Sequence, residues 1–221
     1  VMTLTFLNLV VVSGILVGLV EGSITAVRTR YTSDLLISSL KNKPYIAHSV
    51  DITKLLDALP NVQAYTARYV ENGSVEANYN LPKRPTEIAE RAGTLLAGIN
   101  PATEDMVTKL SSAVVEGEYL TANDYDQVLV GSSLLRQYLP IDSPGFVTLE
   151  GVQIGSKIRV WIGERYYEVR VKGITKSKVD EVDRRVFFVD SQLRSLIGRG
   201  DYNVDEIAVR VTDPTTINTL K

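Results

Sequence analysis

Residues 1–20 read VMTLTFLNLVVVSGILVGLV and carry no charge; the first ionisable side chain is Glu21. At a helical rise of ~1.5 Å per residue, a run of this length matches a hydrocarbon core of about 30 Å. It predicts a transmembrane helix over residues 1–23. A secretory signal peptide would show a basic start and a small-residue cleavage site, and neither is visible. A buried core helix is more often shorter. A pilin-type N-terminal helix shares the same composition. Beyond Glu21 the apolar positions Ile24, Val27 and Tyr31 keep helical spacing. The helix is therefore expected to continue as a stalk to about residue 32, carrying Arg28 and Arg30. No Gly-, Ser- or Pro-rich linker follows, so the connection to the remainder is expected to be rigid.

The pattern then changes element by element. Leu35, Leu36 and Ile37 read as a short buried strand, and Ile52, Leu55, Leu56 and Leu59 as a helical stripe stopped by Pro60. Residues 61–70 read as a strand, Asn72-Gly73 as a turn, and 74–79 as the returning strand. Residues 81–91 read as a Pro- and charge-bearing loop, and 93–99 as a strand. Thr103 is expected to cap a helix with Glu104 and Asp105 in its first turn, ending near Gly117. Residues 128–130 read as a strand and 132–139 as a short helix closed by Pro140. Ile158, Val160 and Ile162, then Tyr167, Val169 and Val171, alternate with polar residues across Gly163-Glu164, an antiparallel hairpin. Residues 186–189 read as a strand, Asp190 is expected to cap a helix with Gly198 following as its C-cap, residues 206–211 read as a strand, and Asp213-Pro214 opens a last helix.

These elements predict an α+β fold: an N-terminal transmembrane helix followed by an extracytoplasmic domain, 33–221, of two mixed α/β subdomains. A discontinuous strand–helix–strand subdomain (about 33–72 and 175–221) would hold an inserted β-rich subdomain (about 73–174).

Composition narrows the function. Apolar residues make up 44% and charged residues 23%, with a net charge of −2. This excludes a disordered chain, and with a sequence pI near 5.6 it argues against a basic nucleic-acid footprint. With no Cys and one His, disulfide scaffolds, Cys-based zinc sites and a Cys nucleophile are excluded. There is no P-loop, no G-x-S-x-G elbow and no H-E-x-x-H.

Few candidates for chemistry remain. His48 has no recognisable partner and is read as structural or exposed. Asp180, Glu181 and Asp183 have the charge for a hard cation, but Lys176, Lys178, Arg184 and Arg185 surround them; they are read as a mixed-charge surface loop. Asn72-Gly73-Ser74 matches a glycosylation acceptor and Arg199-Gly200-Asp201 an adhesion tripeptide, and both are read as ordinary loop chemistry. No catalytic, cofactor or metal residue is assigned, and the chain is not expected to be an enzyme. The one assigned surface is in the membrane. Gly14, Gly18 and Gly22 lie four apart on one helix face, a small-residue stripe that lets helices pack closely in lipid.

Several segments together resemble the MacB/LolC/FtsX-type permease superfamily of ABC transporters. FLNLVVVSGILVGLVEGS is similar to its first transmembrane helix, and LLAGINPATED (95–105) to a strand-to-loop element. VVEGEYLTANDYDQVLVGSSLLRQYL (114–139) is similar to an L-x-E-G-R-x-L … V-V-L-G stretch, and VQIGSKIRVWIGERYYEVRVKGI (152–174) to a G-D-x-V … G-I hairpin. VFFVDSQLRSLIG and DEIAVRVTDP resemble the closing strand–helix–strand. The sequence departs from the family at Ser156, where Asp is frequent, and in the length of the 81–91 region. The family has four membrane helices, whereas one is seen here, so the resemblance implies a piece of a longer permease.

The resemblance further implies a cytoplasmic ABC ATPase partner, a permease homodimer or heterodimer in the bilayer, and location in the cell membrane with residues after about 23 outside. From the charge balance and the absence of motifs, no cofactor and no nucleic-acid partner is expected. The domain would couple ATP hydrolysis to export, lipoprotein release or envelope signalling by mechanotransmission, with an extracytoplasmic protein or lipoprotein as possible cargo. The rival readings are a single-pass anchored sensor or binding module and a filament subunit.

Overall fold

A computed structural model describes residues 2–80, 91–139 and 147–214. Helix α1, Met2–Val27, passes without a break into a π-helical turn, Arg28–Thr32. Its side chains from Val10 to Ile24 are largely exposed, and Val10–Thr32 is long and apolar enough to cross a membrane. The helix stops where Ser33 takes φ 55°. Ser33 and Asp34 then swing the chain onto the sheet, Asp34 N–H donating to the Val209 carbonyl at 3.1 Å.

The remaining elements follow in order: β1 Leu35–Ser38, α2 Ser49–Ala58, β2 Val62–Glu76, β3 Arg91–Ile99, α3 Pro101–Thr108, β4 Val114–Gly117, β5 Gln127–Gly131, β6 Lys157–Ile162, β7 Arg165–Thr175, α4 Asp180–Asp183, β8 Arg185–Val189, α5 Asp190–Leu196 and β9 Glu206–Val211. The nine strands form one mixed sheet in the order β1-β9-β2-β3-β8-β5-β7-β4, with β6 bridging β7 and the far end of β2. The path β2-β3-β8-β5-β7-β6 therefore returns to β2 and closes a ring. Strands from the proposed outer and inserted segments share this sheet, and β2 runs through residue 72, the expected limit between them.

Alternation along the strands divides the core. Leu96, Val128, Val130, Val160, Val171, Val186 and Phe188 point to one face and join a core completed by Leu56 of α2 and Leu193 of α5. Ala97, Ile99, Leu129 and Phe187, their sequence neighbours, point to the other face. There they meet Leu110, Val179 and Val182, and the end of the apolar N-terminal helix at Ala26, Val27 and Tyr31 packs onto them.

Four expectations are corrected, the smallest being that Val189 stands at the N-cap of α5 and Asp190 is its first helical residue. Asn72-Gly73 makes no turn: β2 runs straight through, with Asn72 opposite Leu95 and Gly73 opposite Thr94. The glycine serves close approach, since a Cβ there would lie 2.7 Å from both Leu96 Cδ1 and the Trp161 carbonyl oxygen. The third helix is capped by Asn100, whose Oδ1 accepts from Ala102 and Thr103 N–H, and it ends at Thr108 because Lys109 adopts a left-handed conformation; a 3-10 turn, Leu110–Ala113, and β4 fill the stretch up to Gly117. Residues 132–139 form two 3-10 turns, Ser132–Leu134 and Arg136–Tyr138, in place of a helix. The 81–90 part of the expected loop and residues 215–221 of the expected last helix lie outside the described residues.

Candidate functional site: a buried charge cluster at the helix–domain junction

Five residues from five elements meet where the apolar N-terminal helix joins the sheet. Arg68 sits in the middle of β2 and Glu104 in the first turn of α3. Arg185 opens β8, Glu206 opens β9, and Tyr31 lies in the π-helical turn. Strand alternation points Arg68 to the face covered by α3 and the stalk, where its side chain is only 2% exposed.

The geometry satisfies nearly every donor. Arg68 grips Glu104 with two parallel bonds, Nε to Oε2 at 2.9 Å and Nη2 to Oε1 at 2.8 Å. Its Nη1 donates to Glu206 Oε2 at 3.2 Å and its Nη2 to the Tyr31 carbonyl at 2.9 Å. Arg185 grips Glu206 in the same forked way, at 3.0 and 2.8 Å. Its Nη2 also donates to Tyr31 Oη at 3.0 Å, and Tyr31 Oη in turn donates to Glu206 Oε1 at 2.9 Å. Thr66 and Thr108 hydroxyls complete Glu104 at 3.1 and 2.8 Å. The Tyr31 ring lies 4.9 Å from the Arg185 guanidinium carbon and 5.3 Å from that of Arg68.

Two cations face two anions, so the cluster is neutral as a unit. Burial by itself raises the Glu206 carboxyl pKa; hydrogen bonding and charge from Arg185, with Arg68 and the Tyr31 hydroxyl, outweigh it and hold the pKa at about 2. Burial likewise opposes the Arg68 charge, but Glu104 and Glu206 more than compensate, and its pKa lies above the ordinary value. Buried ion pairs of this kind add little net stability, but they are strongly directional, and removing one member strands its partner. The chemical capacity of the cluster is thus to fix geometry. All four charges are committed to one another, which leaves no free acid, base or nucleophile.

Two flanking contacts widen the junction. Arg28 pairs with Asp34 (Nε to Oδ1 at 2.8 Å), whose other oxygen accepts from Val211 N–H at 3.0 Å. Arg30 donates to the Lys109 carbonyl at 2.7 Å and to Ser112 Oγ.

The residues singled out from sequence lie elsewhere. Gly14, Gly18 and Gly22 lie on the exposed length of α1, where an added Cβ would meet nothing within 4 Å. His48 is exposed, 3.8 Å from Asp51. Asp183 is buried, unlike a surface-loop residue, and accepts from Ser177 N–H at 2.6 Å and Lys178 N–H at 2.9 Å. Asp180 and Glu181 are exposed. Among the described residues no group of three or more His, Cys, Asp or Glu is placed to hold a metal. Arg199 pairs with Asp205 at 2.9 Å and stacks over Tyr45, and Asn72 is an exposed strand residue.

The cluster itself left a faint trace in the sequence. Arg68 is a lone charge inside an apolar strand segment, Arg185 and Glu206 each close a charged pair (Arg184-Arg185, Asp205-Glu206) at the start of one, and Glu104 sits in a helix start.

No protein-family model matches the chain, and no curated protein matches it by sequence. Solved structures do. One is the extracellular domain of the noncanonic ABC-type transporter YknZ from Gram-positive bacteria. It has a TM-score of 0.51 at 18% identity, covering 83% of this chain and 86% of that one. Another is the periplasmic region of MacB from Actinobacillus actinomycetemcomitans, with a TM-score of 0.49 at 16% identity, covering 83% and 72%. The first likeness establishes a shared fold for the mixed α/β domain on its mixed sheet, which in this chain follows one apolar N-terminal helix.

Proposed function

We propose that the chain is a permease subunit of an ABC transporter, anchored in the cell membrane by α1 with the domain after about residue 23 outside. The observation that carries this reading is the junction. A membrane helix runs without a linker into a turn whose Tyr31 is held by β2, β8 and β9 through buried charge. A shift or rotation of α1 therefore moves the sheet with it, which is the physical requirement for transmitting a distant event. The fold shared with the extracellular domain of an ABC-type transporter supports the assignment. In this reading a cytoplasmic ATPase drives the helices, two permeases form the dimer, and the domain passes the motion to a protein or lipoprotein cargo or to an envelope partner. The protein works without a cofactor and is not an enzyme.

Native extraction of the membrane protein with identification of its partners tests this. Recovery of an ABC ATPase at stoichiometric yield is expected. Recovery of α1 and its domain without any ATPase would move the assignment to an anchored binding module. The Gly14/Gly18/Gly22 stripe has its own test. Gly18→Leu is expected to weaken helix association in detergent with the domain's far-UV circular dichroism unchanged; unaltered association removes the stripe from the dimer interface.

A further inference from the structure

β3 pairs with β2 only from Arg68 onward, opposite Ile99. The chain then leaves the sheet at Asn100 to begin α3. Residues 62–67 of β2 consequently have β9 on one side and, among the described residues, no strand on the other. The direction of the backbone groups is fixed by alternation. The Arg68 carbonyl accepts from Asp205 N–H at 2.9 Å and Val70 N–H donates to Asp205 Oδ2 at 2.8 Å, so both face β9. Ala67 and Tyr65, one residue out of phase, direct their N–H and C=O to the open side.

This edge is the floor of a groove of about 490 Å³ between α2 and α3. Leu56 and Met106 supply apolar walls, Met106 being 55% exposed. Asp57 and Asp190 supply charge, and no Lys or Arg is among the described lining residues. The combination is specific: among the described residues, strand polar groups with no partner strand in a slot walled by helices, with acidic and no basic side chains in its lining. An extended segment added beside β2 would satisfy the backbone groups, place alternate side chains against the two walls, and be favoured if basic.

We propose that the open edge of β2 at Tyr65 and Ala67 is a docking site for an extended, basic peptide segment of a partner protein, which adds to the sheet as a strand. This is independent of the transporter assignment, since it rests on the edge, the groove and its charge alone.

The experiment uses the full chain in nanodiscs and a short blocked peptide alternating Val and Lys, with the Val/Glu peptide as control. Amide exchange at Tyr65 and Ala67 is expected to slow with the Lys peptide and much less with the Glu peptide. Asp57→Asn and Asp190→Asn are each expected to weaken Lys-peptide binding about 2–5-fold, as for partly exposed ion pairs. Ala67→Pro removes an edge donor without touching the β9 ladder and is expected to abolish binding. Should it disturb folding, Met106→Lys on the exposed wall serves instead, weakening the Lys peptide and strengthening the Glu peptide. Unchanged exchange at both amides with saturating peptide overturns the proposal, as does equal binding of the two peptides. Amides already protected in the free chain overturn it too. Protection that grows with protein concentration assigns the edge to a second copy, and protection that does not assigns it to the chain itself.

Discussion

Glu206 holds the junction together electrostatically, because both arginines and the Tyr31 hydroxyl converge on its two oxygens. Glu206→Gln would leave the Arg185 guanidinium buried without a counter-charge. It is expected to cost about 3–5 kcal/mol, the usual penalty for breaking a buried pair, read as a lowered urea midpoint. The pH dependence has a definite sign. The folded carboxyl titrates near 2, below its ordinary 4.5, so its contribution is complete above about pH 4.5 and is lost as the pH falls toward 2. A loss of order 3 kcal/mol is expected across that window, and Glu206→Gln should flatten this part of the stability profile. An unchanged slope in the variant would assign acid sensitivity to other carboxylates. Little of this was legible from residue types. A lone Arg in a strand pattern reads as a solvent-facing position; only the pairing of β2 with β3 and β9, over separations of more than a hundred residues for β9, turns that position inward and brings an acid to it.

At the scale of elements, local chemistry predicted much and failed where a partner element overrode it. The β6–β7 hairpin was legible because period-two alternation and a Gly163-Glu164 turn agree, and β1, α2, β5, β8, α5 and β9 were legible because apolar spacing and stop signals coincide. Asn72-Gly73 misled because its preference for a turn is a property of an isolated segment. Here β2 is held on both sides, by β3 and by β6, and the gain in ladder bonds exceeds the turn preference. The glycine is selected by crowding instead. Gly73→Val is expected to destabilise the domain by about 1–3 kcal/mol through overpacking, because its Cβ would press on the Trp161 carbonyl, which is backbone, as well as on Leu96. Gly93→Ala, where an added Cβ meets nothing within 4 Å, is the control. Equal midpoints for the two variants would mean the strands separate locally to admit the side chain.

For the whole molecule the decisive property is whether α1 and the domain move as one body. The linker-free exit was legible in the sequence as an absence of linker residues; the charge cluster that ties it to the sheet was not, since it is assembled from elements far apart in the chain. Trp161, the single Trp, offers a direct probe. Its Nε1 donates to Glu76 Oε2 at 3.1 Å and the Arg91 guanidinium lies 4.3 Å from its ring, so the indole reports the motion of the domain. In nanodiscs the time-resolved anisotropy of Trp161 is expected to decay with the slow tumbling of the whole particle. Inserting Gly-Ser-Gly after Thr25 cuts the helix between the membrane and Ala26 while leaving Tyr31 in its cluster. A second decay component in the nanosecond range of loosely tethered segments is then expected, with the domain's unfolding midpoint unchanged. Such a component already present without the insertion would mean that α1 and the domain are not rigidly joined, and mechanical transmission through the junction would fall with it.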